Sequence, residues 1–174
     1  MLSSPTVVDG TVYVGSNDNK VYALDASTGT VDWSYTTGDL VQSSPTVEGG
    51  TVYIGSFDNS VYALDASDGS EQWSYTTGDA VRSSPTVEGG TVYVGSTDNN
   101  VYALDASTGT EDWSYTTGSG VYSSPTVVDG TAHVGSQGGN VYALDASTGT
   151  EDWSYTTGDS VGSSPTGLEG KASV

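Results

Sequence analysis

Residues 41–80 read VQSSPTVEGG TVYIGSFDNS VYALDASDGS EQWSYTTGDA, and residues 81–120 repeat them with nine differences in forty positions. Turn-forming residues cut this period into four short runs. Ser43-Ser44-Pro45-Thr46-Val47 leads to Gly49-Gly50, a pair that accepts the positive φ of a two-residue hairpin; the first repeat has Asp9-Gly10 there. Thr51-Val52-Tyr53-Ile54-Gly55-Ser56 leads to Asp58-Asn59, a second tight turn. Val61-Tyr62-Ala63-Leu64-Asp65 ends at Ser67-Asp68-Gly69, and Glu71-Gln72-Trp73-Ser74-Tyr75-Thr76-Thr77 closes at Gly78.

The same period runs through the chain, with Pro at 5, 45, 85, 125 and 165 and Trp at 33, 73, 113 and 153. Four strands in about forty residues, joined by hairpin turns, make an all-β chain of four-stranded β-propeller blades. Val61 and Ala63 on one face of the third strand, and Tyr62 and Leu64 on the other, are all apolar. A sheet with one solvated face would alternate apolar and polar, so each blade is expected to be sandwiched between neighbours. A β-solenoid is the competing repeat architecture, but its coils are shorter and lack four hairpin-like turns. Proline, which cannot donate to a ladder, suits the innermost edge strand. The 174 residues form a single repeat domain with blades at about 1–40, 41–80, 81–120 and 121–160. Residues 161–174 begin a fifth repeat, expected as a clasp strand or a frayed tail.

Composition narrows the chemistry. Three Lys plus Arg (Lys20, Arg82 and Lys171) face 22 Asp plus Glu, for a net charge of −19. Nucleic acid and anionic membrane surfaces need cations from their partner and are disfavoured. So many like charges repel one another in dilute buffer, and this acidic, Lys-poor surface resembles that of proteins from salt-loving organisms. No run reaches the roughly 18 apolar residues of a membrane helix, and Met1-Leu2 enters the repeat without a leader, so the chain as given reads as soluble. With no Cys and one His, thiol chemistry, disulfides and a metal–His cluster within one chain are excluded. His133 stands where other repeats have Tyr13, Tyr53 and Tyr93, and reads as a packing substitution. Asp18-Asn19, Asp58-Asn59 and Asp98-Asn99 lack the acid density of a calcium loop, and Gly138-Gly139 replaces the pair in the fourth repeat, so they read as turns.

One segment resembles a known family. Ala23, Asp25, Thr28, Gly29 and Trp33 are similar to the tryptophan-docking motif of pyrroloquinoline quinone (PQQ) repeats. The motif recurs at Ala63, Asp65, Gly69 and Trp73, with Asp68 replacing Thr; at Ala103, Asp105, Thr108, Gly109 and Trp113; and at Ala143, Asp145, Thr148, Gly149 and Trp153. The Gly-His and Trp-Asp signatures of WD repeats are missing. The resemblance implies that each Trp packs across to the neighbouring blade while Asp and Thr fix a turn. It also implies a ring of eight blades, which four per chain complete as a homodimer; the alternative is a closed four-bladed monomer, at about 90° rather than about 45° per blade. PQQ enzymes of this family hold one cofactor beside calcium with residues unique to particular blades, often with a vicinal disulfide. Near-identical blades without cysteine offer no counterpart, so no catalytic, cofactor or metal residue is expected.

Differences between repeats cluster in the second-to-third-strand turn and in the link between blades, expected at one end of the ring around the channel mouth. Phe57, Arg82, Tyr122 and Gln42 stand there as a candidate binding surface, with Phe57 and Tyr122 exposed, for a protein or small-molecule ligand. The expected function is a non-enzymatic binding or assembly scaffold adapted to high salt. The alternatives are a degenerate quinoprotein dehydrogenase or a propeller fragment without evolved function.

Overall fold

A computed structural model describes residues 3–166. The described residues form sixteen strands in four antiparallel sheets, each with strands in sequential order. The first sheet holds β1 (Thr6–Val8), β2 (Thr11–Gly15), β3 (Lys20–Asp25) and β4 (Val31–Thr36). The second runs from β5 (Thr46–Glu48) through β6 (Thr51–Gly55) and β7 (Ser60–Asp65) to β8 (Glu71–Thr76). The third runs from β9 (Thr86–Glu88) to β12 (Glu111–Thr116), and the fourth from β13 (Thr126–Val128) to β16 (Glu151–Thr156). No described helix is long and apolar enough to cross a membrane.

The turn chemistry explains the order. Asp9 and Gly10 have φ of 48° and 81°, and Gly49 and Gly50 have 58° and 80°, the pair of positive values that a type I′ hairpin needs. Asn19, Asn59, Asn99 and Gly139 supply the positive φ of the next turn. In every blade the ladder between the third and fourth strands slips by one residue beside the Ala–Trp pair, as between Ala23 and Leu24.

The core lies between the blades, in three equivalent clusters. In the first, Tyr13, Val21, Ala23 and Trp33 of one blade meet Val52, Ile54 and Leu64 of the next, sealed by Val41 of the link. Both faces of a middle blade are therefore covered, and each fully buried Val, Ile or Leu contributes about 1.5–3 kcal/mol. The innermost strands run side by side, β1 beside β5, β5 beside β9 and β9 beside β13.

The arc is open, which corrects the alternative of a closed four-bladed ring. Among the described residues the tryptophan and tyrosine bonds that join each blade to the next have no counterpart between the fourth blade and the first. Trp153 and Tyr155 are left 48% and 66% exposed at one end, and Val7 and Val31 62% and 57% at the other. Residues 161–166 continue the inner row: Ser124 N donates to Ser164 Oγ at 2.9 Å and Thr126 Oγ1 to Pro165 O at 2.5 Å. The expected clasp strand or frayed tail spans residues 161–174, of which 167–174 lie outside the described residues.

Candidate binding face and the seams that position it

Each seam starts from a turn. Asp25 closes the hairpin between β3 and β4, its Oδ1 accepting from the N–H and hydroxyl of both Ser27 and Thr28 at 2.6–2.9 Å. Those donors, Ser27 first and Thr28 next, hold the Asp25 carboxyl down at about 2, and Asp65, Asp105 and Asp145 are lowered by the same bonds, with Asp65 relying on Ser67. The turn in one blade receives the indole of the blade before it. Trp33 Nε1 donates to Ala66 O at 3.0 Å, Trp73 to Ala106 O at 2.9 Å and Trp113 to Ala146 O at 2.9 Å. A Cβ on Gly69 would meet the Trp33 ring at 2.6 Å, so the motif glycine is required by close approach as well as by its φ of +73°. Asp, Thr and Gly of a motif thus serve the tryptophan of the preceding motif.

Sequence reasoning missed two other parts of the seam. Tyr13, Tyr53 and Tyr93 donate to the same alanine carbonyls at 3.1–3.2 Å. Tyr35, Tyr75 and Tyr115 hydroxyls donate to Glu71, Glu111 and Glu151 of the following blade. Burial and then the Glu71 carboxylate push the Tyr35 hydroxyl up, and Tyr115, beside Glu151, rises to about 12. Glu recurs at 71, 111 and 151 with Val31 in the first repeat, a forty-residue signal that was open to reading. Along this outer seam the donors belong to the earlier blade and the acceptors to the later one.

The fourth blade ends the series. Among the described residues Trp153 Nε1 has no acceptor of this kind and nothing donates to Ala26 O of the first blade, the counterpart of Ala66 O. His133 takes the tyrosine position and packs its ring 5.9 Å from that of Trp153.

The variable loops interlock on one end of the arc. Val41 N donates to Ser16 O at 3.0 Å, Phe57 N to Leu40 O at 2.9 Å and Gly38 N to Asp58 Oδ2 at 2.6 Å. Asp58 also accepts from Tyr62 OH at 2.7 Å, as Asp98 does from Tyr102 at 2.6 Å. Gly138 removes that acid in the fourth blade, and Tyr142 OH turns to Thr117 O at 2.7 Å. Among the described residues no three His, Cys, Asp or Glu side chains gather as a metal site would require.

Three of the four candidate surface residues come together. The Arg82 guanidinium carbon lies 4.5 Å from the Phe57 ring centroid and 5.0 Å from that of Tyr122. The expectation that Phe57 and Tyr122 are exposed is corrected: both are half-buried, because each ring lies against the arginine between them. Gln42 stands apart, donating from Nε2 to Asn17 Oδ1 at 3.1 Å. Arg82 Nε and Ser136 Oγ are buried with no hydrogen-bond partner among the described residues. One cleft, of about 1050 Å³, opens elsewhere, between the third and fourth blades beside Glu88, Trp113 and Asp129; another of about 320 Å³ lies between the second and third. Their recurrence marks them as the wedge left where flat blades diverge.

A family model described as outer membrane protein assembly factor BamB matches residues 2–86 and 76–169. The crystal structure of BamB from Moraxella catarrhalis superposes with a TM-score of 0.77 at 22% identity, over 88% of this chain and 48% of that one. The computationally designed Ika8 protein superposes at 0.85 and 17% identity, over 95% and 52%. The quinohemoprotein alcohol dehydrogenase from Comamonas testosteroni superposes at 0.78 and 23% identity, over 91% and 35%. This chain spans about half the length of the first two and about a third of the dehydrogenase, and at these identities the likeness is one of fold. No curated protein matches the sequence.

Proposed function

The chain belongs to the PQQ-like repeat family described as outer membrane protein assembly factor BamB, and from that premise we propose that it is a non-enzymatic propeller segment serving as a binding or assembly scaffold in high salt. The non-enzymatic reading is supported by where the candidate acids and bases are held, in turns and seams between blades. The carboxyls with shifted acidity (Asp18, Asp25, Asp65, Asp105, Asp145 and Glu151) all move down, and the shifted tyrosines, Tyr35, Tyr62, Tyr75 and Tyr102 among them, all move up. General acid–base work favours a group tuned toward the operating pH, and both directions lead away from neutrality. Each of these groups is tied into a turn or a seam. The test is incubation with PQQ and calcium followed by an alcohol and a redox dye. No dye reduction is expected; calcium-dependent turnover overturns the reading.

The occupant that fits the open ends is a second copy. Among the described residues Trp153 Nε1 of the fourth blade has no carbonyl acceptor and Ala26 O of the first has no indole donor, Gly29 stands where Gly69 faces Trp33, and the chain covers 48% and 52% of two structures it resembles. Two head-to-tail contacts close such a pair into a ring with twofold symmetry. Ser163-Ser164-Pro165-Thr166 is identical to Ser3-Ser4-Pro5-Thr6, so one of these two segments takes the seat beside β13 at each closing seam.

A further inference from the structure

We propose that the Arg82 guanidinium, clamped between the Phe57 and Tyr122 rings, is a receptor for an aryl carboxylate. The argument begins with the repeat. In the first blade this position of the loop row is a satisfied amide pair, Gln42 donating to Asn17 Oδ1 at 3.1 Å. One repeat later both partners change together: Asn17 becomes Phe57 and Gln42 becomes Arg82. The new pair has a donor and no acceptor. Aromatic rings within 4.5 and 5.0 Å of the guanidinium carbon attract its charge but take none of its in-plane N–H bonds.

The consequence is visible at Nε, which is buried and has no partner among the described residues, in a chain with 22 Asp plus Glu. An unmade hydrogen bond at a buried charged donor is costly, and native structures rarely leave one without a reason. The Nη end of a planar guanidinium matches a carboxylate in two parallel bonds, and the edges of the rings that flank it can meet an aromatic body edge to face. Multiply charged anions are disfavoured, because one cation would have to hold them against a net charge of −19. That field gives the site an unusual salt response. Shortening the Debye length from about 10 Å at 0.1 M to about 3 Å at 1 M screens the repulsion from distant carboxylates more than it weakens a partly buried pair. Affinity is therefore expected to rise with salt over the range in which an isolated arginine–carboxylate pair would weaken.

The inference rests on the loop row being the binding face of the scaffold. The chain has one arginine, so it gives one arginine Nε–H resonance, and sodium benzoate titrated against a matched sodium chloride control reads the site directly. A saturable Nε–H shift is expected, absent with chloride, tighter at 0.5 M than at 0.1 M salt (about those values), with affinity lowered about tenfold or more by Phe57→Ala. In Arg82→Gln, which restores the residue found at Gln42, the backbone amides of residues 57 and 122 report the loss of binding. A drift that does not saturate, an equal response to chloride, or unchanged benzoate affinity in Arg82→Gln overturns the proposal. Those results leave the scaffold reading intact, since dye reduction with PQQ and calcium is what sinks that one.

Discussion

Gly29 and Gly69 share a backbone conformation, φ +72° and +73°, and differ in surroundings: nothing lies within 4 Å of a Cβ on Gly29, whereas one on Gly69 meets the Trp33 ring at 2.6 Å. In the single chain, at concentrations too low for copies to pair, Gly29→Ala is expected to lose only the left-handed backbone strain, about 1–2 kcal/mol. Gly69→Ala adds an overpacking cost of about 1–3 kcal/mol on top. Urea unfolding in molar salt measures both, and equal losses would show that the indole is not held against the turn. At this scale the sequence was legible where a residue type is forced by its own backbone, as at Asp9-Gly10 or Gly69. It was silent on which neighbour a side chain serves. Glycine and tryptophan of one motif are four residues apart in the chain, yet they act in different seams. Phe57, Arg82 and Tyr122 were legible as variable positions, but their stacking depends on how links and turns from three repeats converge.

The hairpin turn is the element in which charge and fold are coupled. Asp25 is held at about 2 against an ordinary 3.8, so its contribution is present above that ordinary value and is lost as pH falls through about 2. Tyrosines run the other way. Tyr62, raised by burial and then by Asp58, and Tyr115 both lie near 12 against an ordinary 10.0, so their contribution is intact below 10.0 and is lost as pH climbs to about 12. The urea midpoint is expected to plateau between those limits and to fall on both sides. Asp25→Asn, which keeps an acceptor oxygen without its titration, should flatten the acid limb, and tyrosinate absorbance should show a late-titrating class at the alkaline limb. An acid limb as steep in Asp25→Asn as in the parent would remove the turn from this account. Element types and order were readable because glycine, asparagine and proline punctuate every strand. The tyrosine–glutamate bonds were not read, because a Glu at the start of a strand looks like ordinary solvated charge until the next blade is in place.

For the whole molecule, two consequences of charge and shape are measurable. Sedimentation in molar salt is expected to give about twice the 17.7 kDa of one chain, and Gly29→Ala, whose Cβ would meet the partner's Trp153, should return it to the single-chain mass with its sheets intact. A parent chain sedimenting as a monomer would leave the exposed Trp153 without its proposed cover. The unfolding midpoint should also rise from dilute buffer to molar salt as the repulsion among 22 acidic groups is screened; a flat response would remove salt adaptation. Four blades could be counted in the chain directly. Whether four closed a ring could not, because the angle between blades depends on how an indole, a carbonyl and a link valine fit together.

That the tryptophan bonds all run from one blade to the next has a bearing on ancestry as well as on assembly. A head carrying the indole and a tail carrying its acceptor stay complementary however many copies lie between them. Unequal recombination within such a gene adds or deletes whole blades and leaves both couplings usable. Rings can then be divided among polypeptides in different proportions, like a circle of identical links that closes wherever it happens to be cut.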